Sequence, residues 1–403
     1  MKSGHLSEYF TGIAAKRLSA VEADVFRSNQ HEFNGVEGLK QIFGEAAGKQ
    51  KFPAKFIYLT DNDSEPVVTE GFLTWYDARE RHPVRSEHRL YFPTTTVSEC
   101  AAAGDLLVIG RRPDGSVLVV VAAAGSTVLN QIEWLFGLST LELPGFSIRE
   151  ELETEQDRIA FASRFILEQI GVVVETAEDT YLDEMLRRFE GTFPTTREFS
   201  AYTRSTLPDV SSLDHPDAAL MAWMEREEIL FRTLERHLVA DRLAHGFEKD
   251  VDGFMSFSLS VQNRRKSRVG LALENHTEHV LSAQGLRYER SAVTENKSRP
   301  DFLFPGASEY HNPNWDPLRL TMLGAKATCK DRWRQVLAEA DRIPRKHLLT
   351  LESAISTAQT DEMQMKGLQL VVPRGLHATY TPAQRGWLAD LATFTTLVKQ
   401  QQG

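Results

Sequence analysis

The sequence predicts two domains, a mainly β domain followed by an α/β domain. Its length of 403 residues exceeds what one hydrophobic core usually organises. The first half contains short β-type apolar runs, whereas from residue 218 onward helical periodicity alternates with short apolar strands. We therefore expect an N-terminal domain at residues 1–175, a linker at 176–192 and a C-terminal domain at 193–403.

Four apolar runs between Phe52 and Val128 predict the strands of the first domain. They read FIYL, HRLYF, DLLVIG and SVLVVV, and they are rich in the β-branched and aromatic residues that strands favour. The last two runs are joined by residues 112–115, whose Arg-Pro-Asp-Gly sequence is typical of a turn between strands. This part of the chain is therefore predicted to be mainly β.

The segment after these strands predicts helices and then a looser connection. Apolar residues recur at helical spacing between Glu150 and Arg188. These residues are Ile159, Ala162, Phe165, Ile166 and Ile170. Pro194, Pro208 and Pro216 then interrupt the pattern, which favours an irregular segment near the start of the second domain.

The charges of the chain are segregated along the sequence. The formal net charge is −10, which by itself disfavours a nucleic-acid partner, because phosphate neutralisation needs Lys and Arg. However, acidic residues crowd positions 149–190, and basic residues gather at 264–268 and 326–346. A chain with such local basic patches can still bind DNA.

Apolar runs and cysteine usage predict a cytoplasmic protein without a membrane partner. The longest apolar run, residues 117–124, is far shorter than the roughly 20 residues that a bilayer requires, and no signal segment is recognisable. Cys100 and Cys329 are too few for a disulfide framework and have no CxxC spacing, so both are expected to be reduced thiols.

Asp301 is the first candidate catalytic residue, because it opens the apolar run at residues 302–304. The Pro-Asp dipeptide alone says little, since three other copies lie in turn sequences. Residues 320–328 predict a neighbouring strand on which Lys326 has apolar residues on both sides, so its charge needs a partner. We therefore expect Asp301 and Lys326 to lie together.

A second candidate carboxylate comes from a helix predicted to begin at Asp331. Its buried stripe comprises Trp333, Val336, Leu337, Ala340 and Ile343. On the adjoining face Arg332, Glu339 and Arg342 are predicted to project together, next to the strand that carries Lys326.

Asp301, Lys326 and Glu339 supply the groups that phosphodiester hydrolysis needs. Carboxylates hold one or two Mg²⁺ ions, and a cation stabilises charge on the phosphate or on the attacking water. In many nucleases these residues form the motif PD…(D/E)xK on adjacent strands. Here the position two residues before the lysine is Gly324, which has no side chain that could bind a metal. The second carboxylate would therefore have to be Glu339.

Glu274 and Glu278 add further acids one helical turn apart. Glu274 is either an outer metal or water ligand or part of a solvated helix face. His276 and His279, between and beside these acids, suggest zinc, but they lack a convincing third ligand, so structural or solvated histidines are favoured.

Three motifs resemble the catalytic domain of the EcoRII-type (type IIE) restriction endonucleases. They are NRRKSR at 263–268, PDFLFP at 300–305 and TCKDRWRQ at 328–335, and their order and spacing agree with that family. The similarity runs from about residue 193 to 380 and includes residues 370–373. It implies an α/β nuclease core of the PD-(D/E)xK class, a mixed sheet flanked by helices, with the second catalytic carboxylate on the helix after the lysine strand.

The resemblance also implies Mg²⁺-dependent, sequence-specific cleavage of double-stranded DNA. The implied site has CC and GG outer base pairs around a central pair, such as CCWGG, and is cut before the first C. Lys330, Asp331 and Arg332 would read the outer pairs, since Arg and Lys donate to guanine and Asp accepts from cytosine in the major groove. Charges at a helix start are the alternative interpretation of these residues.

The basic run that opens the resemblance is expected to hold phosphates. Arg264, Arg265 and Arg268 would neutralise the DNA backbone, which positions DNA without specifying its sequence.

The N-terminal half is similar to the effector-binding domain of the same family, at residues 16–20, 76–79 and 85–89. The resemblance implies a DNA-binding β pseudobarrel with two recognition arms. The residues carried over are Asn29, Gln30 and His31 in the first arm and Arg79, Arg85, Glu87 and Arg89 in the second. The first arm departs from the family, which is glycine-rich there, and solvated loop charges are the alternative interpretation.

Two DNA-binding domains predict a protein that engages two or more DNA sites, and a homodimer is compatible with this. A different class of function is a non-cleaving DNA-binding regulator on a nuclease-like scaffold, but intact Asp301, Lys326 and Glu339 argue against it. Tyr310, which the family shares, is a further candidate nucleophile. We disfavour it, because a metal-activated water needs no tyrosine and residues 309–313 predict a loop.

Overall fold

The structure is a computed structural model of the chain. It describes all residues except 1–4, 24–30, 35–36, 46–47, 62–64, 83, 139–144, 155–157, 160, 175–179, 330–331 and 403. The chain divides into two compact units. The N-terminal unit comprises Met1–Val174 and Ala354–Gln359, and the C-terminal unit comprises Glu175–Ser353 and Thr360–Gly403.

The N-terminal unit contains an eight-stranded sheet. Its strands are β1 (Gly12–Arg17), β2 (Glu32–Asn34), β3 (Gln50–Leu59), β4 (Val67–Asp77), β5 (His88–Tyr91), β6 (Leu106–Arg111), β7 (Val117–Ala122) and β8 (Ser147–Arg149). The order is β2-β5-β4-β3-β7-β6-β1-β8, and neighbours are antiparallel except for the parallel pair β3 and β7. This unit is mainly β, as the sequence predicts.

The central strands of this sheet are covered on both faces. Alternate residues of β7 belong to two separate apolar clusters, with Val120 in one and Val119 in the other. This double burial explains the unbroken apolar run of β7, because a strand packed on both faces needs no polar side. The described helices of the unit are α1 (Ala20–Ala23), α2 (Glu37–Phe43), α3 (Thr96–Cys100), α4 (Thr127–Leu135) and α5 (Phe161–Gln169).

The C-terminal unit contains a five-stranded mixed sheet in the order β13-β12-β11-β10-β9. Its strands are β9 (Glu289–Arg290), β10 (Phe302–Phe304), β11 (Thr321–Lys326), β12 (Lys346–Thr350) and β13 (Leu368–Val371). Strands β9, β10 and β11 pair antiparallel, whereas β11, β12 and β13 pair parallel. The predicted α/β domain with a mixed sheet flanked by helices is therefore confirmed at this level.

Two long helices dominate the helical part of this unit. The helices are α6 (Leu182–Arg188), α7 (Thr196–Ser205), α8 (Pro216–His245), α9 (Val251–Ala283), α10 (Ala307–His311), α11 (Trp333–Leu337), α12 (Thr357–Met365), α13 (Pro382–Arg385) and α14 (Leu391–Gln402). The first three residues of α12 are assigned to the N-terminal unit. Leu230 and Leu234 of α8 pack with Phe199 and Tyr202 of α7 in one buried cluster.

The prediction of an irregular segment around Pro194, Pro208 and Pro216 is wrong in part. Helix α7 lies within it, and a capping box between Thr195 and Glu198 fixes its start. Pro216 does not interrupt a helix but occupies the first turn of α8, where a missing backbone N–H costs nothing.

The helix predicted to begin at Asp331 is much shorter than its apolar spacing suggests. Residues 330–331 lie outside the described part of the chain, and α11 ends at Leu337. Ala340 has a φ of +50°, which a continuing helix does not allow. Ala340 and Ile343 are nevertheless buried. The apolar spacing therefore predicted which residues are buried but not where the helix ends.

Cys100 is exposed and Cys329 is buried, and both are free thiols. Among the described residues, no helix is long and apolar enough to span a membrane.

Candidate active site

Asp301 and Lys326 meet where β10 pairs with β11. Phe302 is in register with Leu323, so Asp301, one residue before β10, lies beside the end of β11. Asp301 Oδ2 accepts hydrogen bonds from the backbone N of Ala325 at 2.7 Å and from Lys326 Nζ at 2.9 Å. The Lys326 and Asp301 side chains keep 23% and 15% of their exposure. The lysine therefore has a carboxylate partner, at a position that a ligand can still reach.

Gly324 lies where a side chain would be crowded. A Cβ at this position would lie 3.1 Å from Val336 Cγ2 and 3.6 Å from Leu348 Cδ1. Val336 belongs to α11, so this short helix covers the strand position at which PD-(D/E)xK nucleases usually carry a carboxylate. The second carboxylate must therefore come from another part of the fold.

Glu339 lies two residues beyond the end of α11 and not on the helix, which corrects its predicted placement. Among the described residues, its buried Oε2 atom has no hydrogen-bond partner. Burial, together with the nearby Asp301 carboxylate, raises the pKa of Glu339 to about 7, and Lys326 opposes this rise. The structure thus brings Glu339 into the same electrostatic environment as Asp301 and Lys326.

Glu274 and Glu278 of α9 are held by Arg290, a residue that the sequence did not single out. Arg290 donates to Glu274 at 2.6 Å and to Glu278 at 2.8 Å. Burial raises the pKa of Glu274, the Asp301 carboxylate raises it further, and Arg290 opposes the rise. Glu274 is therefore an ion-paired carboxylate beside the site, and the only signal in the sequence was two acids one helical turn apart that need a shared cation.

The carboxylates at this site fit a magnesium ion. No group of three or more His, Cys, Asp or Glu able to hold a metal is found in the described ranges. Mg²⁺ does not need such a cage, because it is usually bound through one or two carboxylates together with water and substrate phosphates. Asp301 and Glu339 supply two carboxylates, and the unpartnered Oε2 of Glu339 is an oxygen of the kind that a hard cation takes.

Of the three residues predicted to read bases, the structure describes only Arg332. Lys330 and Asp331 lie outside the described residues, whereas Arg332 is exposed directly before α11. The backbone N of Arg332 donates to the carbonyl of Cys329 at 2.8 Å. The backbone N of Cys329 in turn donates to the buried carboxylate of Glu352, which the sequence analysis missed.

The basic run on α9 is not a uniform phosphate-binding surface. Arg268 is buried with 5% exposure and is ion-paired with Glu228, so its predicted contact with phosphate is wrong for this structure. Arg265 is exposed and pairs with Glu235 at 2.7 Å. Arg264 lies 3.9 Å from the ring centre of Phe193. Arg264 and Arg268 are four residues apart and share the face of α9 that turns toward the core, whereas Arg265 lies on the solvent side.

The predicted second effector arm is an ordered charge network. Asp77 Oδ1 accepts the backbone N–H groups of Arg79 and Glu87, at 2.8 and 2.7 Å, and closes the turn between β4 and β5. Glu87 pairs with both Arg79 and Arg89 at 2.6 Å. The side chain of Arg85 is exposed. The positive charges of Arg79 and Arg89 are thus partly neutralised by Glu87.

The predicted first arm is only partly placed, because Asn29 and Gln30 lie outside the described residues. His31 is half-buried, and its ring centre lies 5.9 Å from that of Phe92 and 6.3 Å from that of Tyr91. Its ring is therefore packed against the end of β5.

Tyr310 and the two histidines make structural contacts. Tyr310 is fully buried at the end of α10, which corrects the predicted loop, and its hydroxyl donates to Glu295. His276 is buried 2.8 Å from a Glu227 carboxylate oxygen, and its burial lowers the pKa of the ring. The ring of His279 packs edge-on against Trp223 at 5.3 Å.

The candidate active site lies in a part of the chain that matches a known protein family. Residues 231–395 match the family described as EcoRII C terminal. The chain is 44% identical over 203 residues to the type II restriction enzyme EcoRII of Escherichia coli, across 50% of each chain. The part of this chain at residues 231–395 is EcoRII-like. The resemblance predicted from the three motifs is therefore confirmed, and Asp301, Lys326 and Glu339 all lie within the EcoRII-like match.

The chain spans about half the length of that curated relative. Two solved structures of restriction endonucleases are also similar. A PspGI complex with substrate DNA gives a TM-score of 0.45 at 17% identity, over 52% of this chain and 93% of that chain. Metal-depleted Ecl18kI with uncleaved, modified DNA gives a TM-score of 0.45 at 17% identity, over 56% and 85%.

Proposed function

We propose that the protein is a type II restriction endonuclease that hydrolyses double-stranded DNA with Mg²⁺ as cofactor. The observation that carries the proposal is the arrangement of Asp301, Lys326 and Glu339 inside the EcoRII-like half. The proposed site has CC and GG outer pairs around a central pair, such as CCWGG, which follows from the resemblance.

Each residue of the cluster has a distinct role in this reaction. Asp301 and Glu339 would hold the Mg²⁺ ion, which supplies Lewis-acid activation of the scissile phosphate and of a water molecule. Lys326 lies 2.9 Å from Asp301 and offers a positive charge to the phosphate as negative charge develops there. Glu274, which is held by Arg290, is proposed as an outer metal or water ligand of the site.

The segment that follows the lysine strand would read the DNA. Lys330, Asp331 and Arg332 are proposed to contact the edges of the outer base pairs in the major groove. Arg264 and Arg265, at the surface of α9, are proposed to contact phosphates. Arg268 is not part of this set, because it is buried against Glu228.

The N-terminal domain, proposed at residues 1–175 with a linker at 176–192, would be a second, regulatory DNA-binding domain. Its eight-stranded sheet with an arginine-bearing β4–β5 turn supports this role, and the proposed architecture is the effector pseudobarrel. Arg79, Arg85, Glu87 and Arg89 would form one arm, and Gln30 and His31 the other. Two DNA-binding domains, in a monomer or a homodimer, raise the effective concentration of a second site.

The test is a digest of plasmids that carry one or two CCWGG sites, in Mg²⁺ and in chelator, with Asp301→Ala, Lys326→Ala and Glu339→Ala beside the wild type. We expect cleavage only in Mg²⁺, faster on two sites, and abolished in each variant, because one lost ligand or cation removes several kcal/mol of transition-state stabilisation. DNA binding in Ca²⁺ should persist in the variants.

The same digest discriminates the rival function. A wild-type protein that binds these plasmids but never cuts them in Mg²⁺ would be the non-cleaving DNA-binding regulator. Cleavage by Glu339→Ala at the wild-type rate would show that Glu339 is not the second carboxylate. Sequencing the cut ends identifies the recognition site and its central base pair.

A further inference from the structure

Glu339 lies on a segment that no regular element holds in place. Helix α11 ends at Leu337, and the backbone N of Glu339 makes only a turn-type bond to the carbonyl of Val336 at 3.2 Å. The next residue, Ala340, is in the left-handed region at a φ of +50° and is fully buried. The direction of the Glu339 side chain is therefore set by whatever fixes the backbone after it.

Two residues from other parts of the unit, Glu295 and Tyr310, form hydrogen bonds with that backbone. The carboxylate of Glu295 accepts a hydrogen bond from the backbone N of Asp341 at 3.2 Å, and it also accepts the hydroxyl of Tyr310. The same hydroxyl accepts the backbone N of Arg342 at 3.3 Å. Consecutive N–H groups are thus bound by a linked carboxylate and phenol.

The guanidinium of Arg342 completes the attachment. It donates to the backbone carbonyls of Tyr310, of Asn312 at 3.0 Å and of Trp315 at 3.2 Å. The sequence predicted that Arg342 projects beside Glu339 toward the lysine strand, but the shortened helix turns it onto the α10 region instead. Since all three acceptors are backbone carbonyls, Arg342 acts as an anchor for the segment and adds no charge partner to Glu339.

We propose that Glu295, Tyr310 and Arg342 form a clamp that positions Glu339 for its metal. The clamp is defined by these three residues, and they are positioning residues, since none of them bonds to Asp301, Lys326 or Glu339. This inference rests on the proposed function, in which Glu339 is a metal ligand. It gives Tyr310 a role without nucleophilic chemistry: its hydroxyl is engaged at both ends, as donor to Glu295 and as acceptor from Arg342.

The test measures metal binding without catalysis, by titrating Mn²⁺ into the DNA-free protein and following free Mn²⁺ by electron paramagnetic resonance. We expect Tyr310→Phe to weaken Mn²⁺ binding about tenfold, as is usual when a group that orients a metal ligand is lost. Glu295→Ala should have a similar effect, and Glu295→Gln a smaller one, because an amide oxygen still accepts from Asp341. In Mg²⁺-driven cleavage the same variants should lower kcat and leave the KM for DNA unchanged.

Tyr288→Phe is the matched control. Tyr288 packs on β10, with its ring centre 5.8 Å from that of Phe302, and its hydroxyl bonds to that of Ser282 at 2.8 Å. It should bind Mn²⁺ as the wild type does.

Wild-type Mn²⁺ affinity in both Tyr310→Phe and Glu295→Ala, alongside a loss in Glu339→Ala, would overturn the clamp and leave the proposed function intact. Wild-type affinity in Glu339→Ala as well would instead remove the metal-ligand assignment on which the clamp depends. If Tyr310→Phe fails to fold, the graded pair Glu295→Gln and Glu295→Ala still decides the question.

Discussion

The cluster of Asp301, Lys326 and Glu339 and the ion pairs between α8 and α9 use the same residue types. They differ in how the negative charges are paired with positive ones. Between the helices, Glu228 is paired with Arg268, and Glu235 with Arg265 at 2.7 Å. Where β10 meets β11, Lys326 is bound to Asp301. Among the described residues, Glu235 and Glu339 each keep one buried oxygen without a hydrogen-bond partner, but the other oxygen of Glu235 is paired with Arg265. Each of these helix carboxylates has a bonded cation, whereas Glu339 has none among the described residues, although Lys326 and Lys346 both act to lower its pKa.

This difference separates structural ion pairs from a site that awaits a ligand. A buried ion pair is complete in the folded chain, so removing one partner leaves an uncompensated charge and costs stability. A cluster short of positive charge stays destabilised until a cation arrives, which is the condition that Mg²⁺ binding would relieve. Sequence alone cannot make this distinction, because the ion pair that each charged residue forms depends on tertiary packing.

The largest expected effect is the loss of stability when the ion pair between Arg268 and Glu228 is broken. Arg268→Ala removes one of the two arginines that pair with the buried Glu228, the other being Arg232, and it also removes the guanidinium that packs on Phe231. It should lower the free energy of unfolding by about 3 kcal/mol. Urea denaturation measures the loss, and Mn²⁺ binding by the remaining folded protein should match that of the wild type. Unchanged stability would mean that the Arg268–Glu228 pair is not the buried structural pair described above.

A smaller effect compares two exposed arginines that differ in pairing. Arg332→Ala should weaken binding to the cognate duplex by roughly 1–3 kcal/mol and leave random DNA nearly unaffected, because base contacts carry specificity. Arg265→Ala should weaken both duplexes equally and by less, since Arg265 must first exchange Glu235 for a phosphate. Competition binding at a fixed salt concentration separates the two, and equal loss of specificity would refute this division.

The strand-borne part of the site could be predicted, because apolar runs mark the two strands and a lysine on an apolar strand needs a counter-charge. Asp301 opens β10 and Lys326 closes β11, as their sequences indicate. The apolar spacing after Trp333 also marked the residues that are buried. It could not show that the helix stops at Leu337, because a left-handed Ala340 leaves no signal in the sequence.

Long-range partners account for most of what the sequence did not reveal. Arg290 is 16 residues from Glu274, and Glu295 is 46 residues from the backbone N of Asp341 that it accepts. Such contacts depend on tertiary packing, and local periodicity carries no information about them. Likewise, the run at 263–268 looked like one basic patch until the helix turned Arg268 into the core.

The central claim, that the Glu339 cluster is short of a cation, can be tested through the pH dependence of stability. The pKa of Glu339 is raised from 4.5 to about 7 in the folded protein. Between these values the folded state holds a proton that the unfolded state has lost, so stability falls as pH rises through the window and stays low above it. Glu339→Gln removes this titration.

Equilibrium unfolding in urea, at pH 5 and pH 8 and with chelator or Mg²⁺, is therefore the most direct measurement. In chelator at pH 8, Glu339→Gln should be more stable than the wild type by up to about 3 kcal/mol, with little difference at pH 5. Mg²⁺ at pH 8 should stabilise the wild type more than the variant, because the ion supplies the missing charge. Equal stability of the two proteins at pH 8, with an equal response to Mg²⁺, would contradict the account.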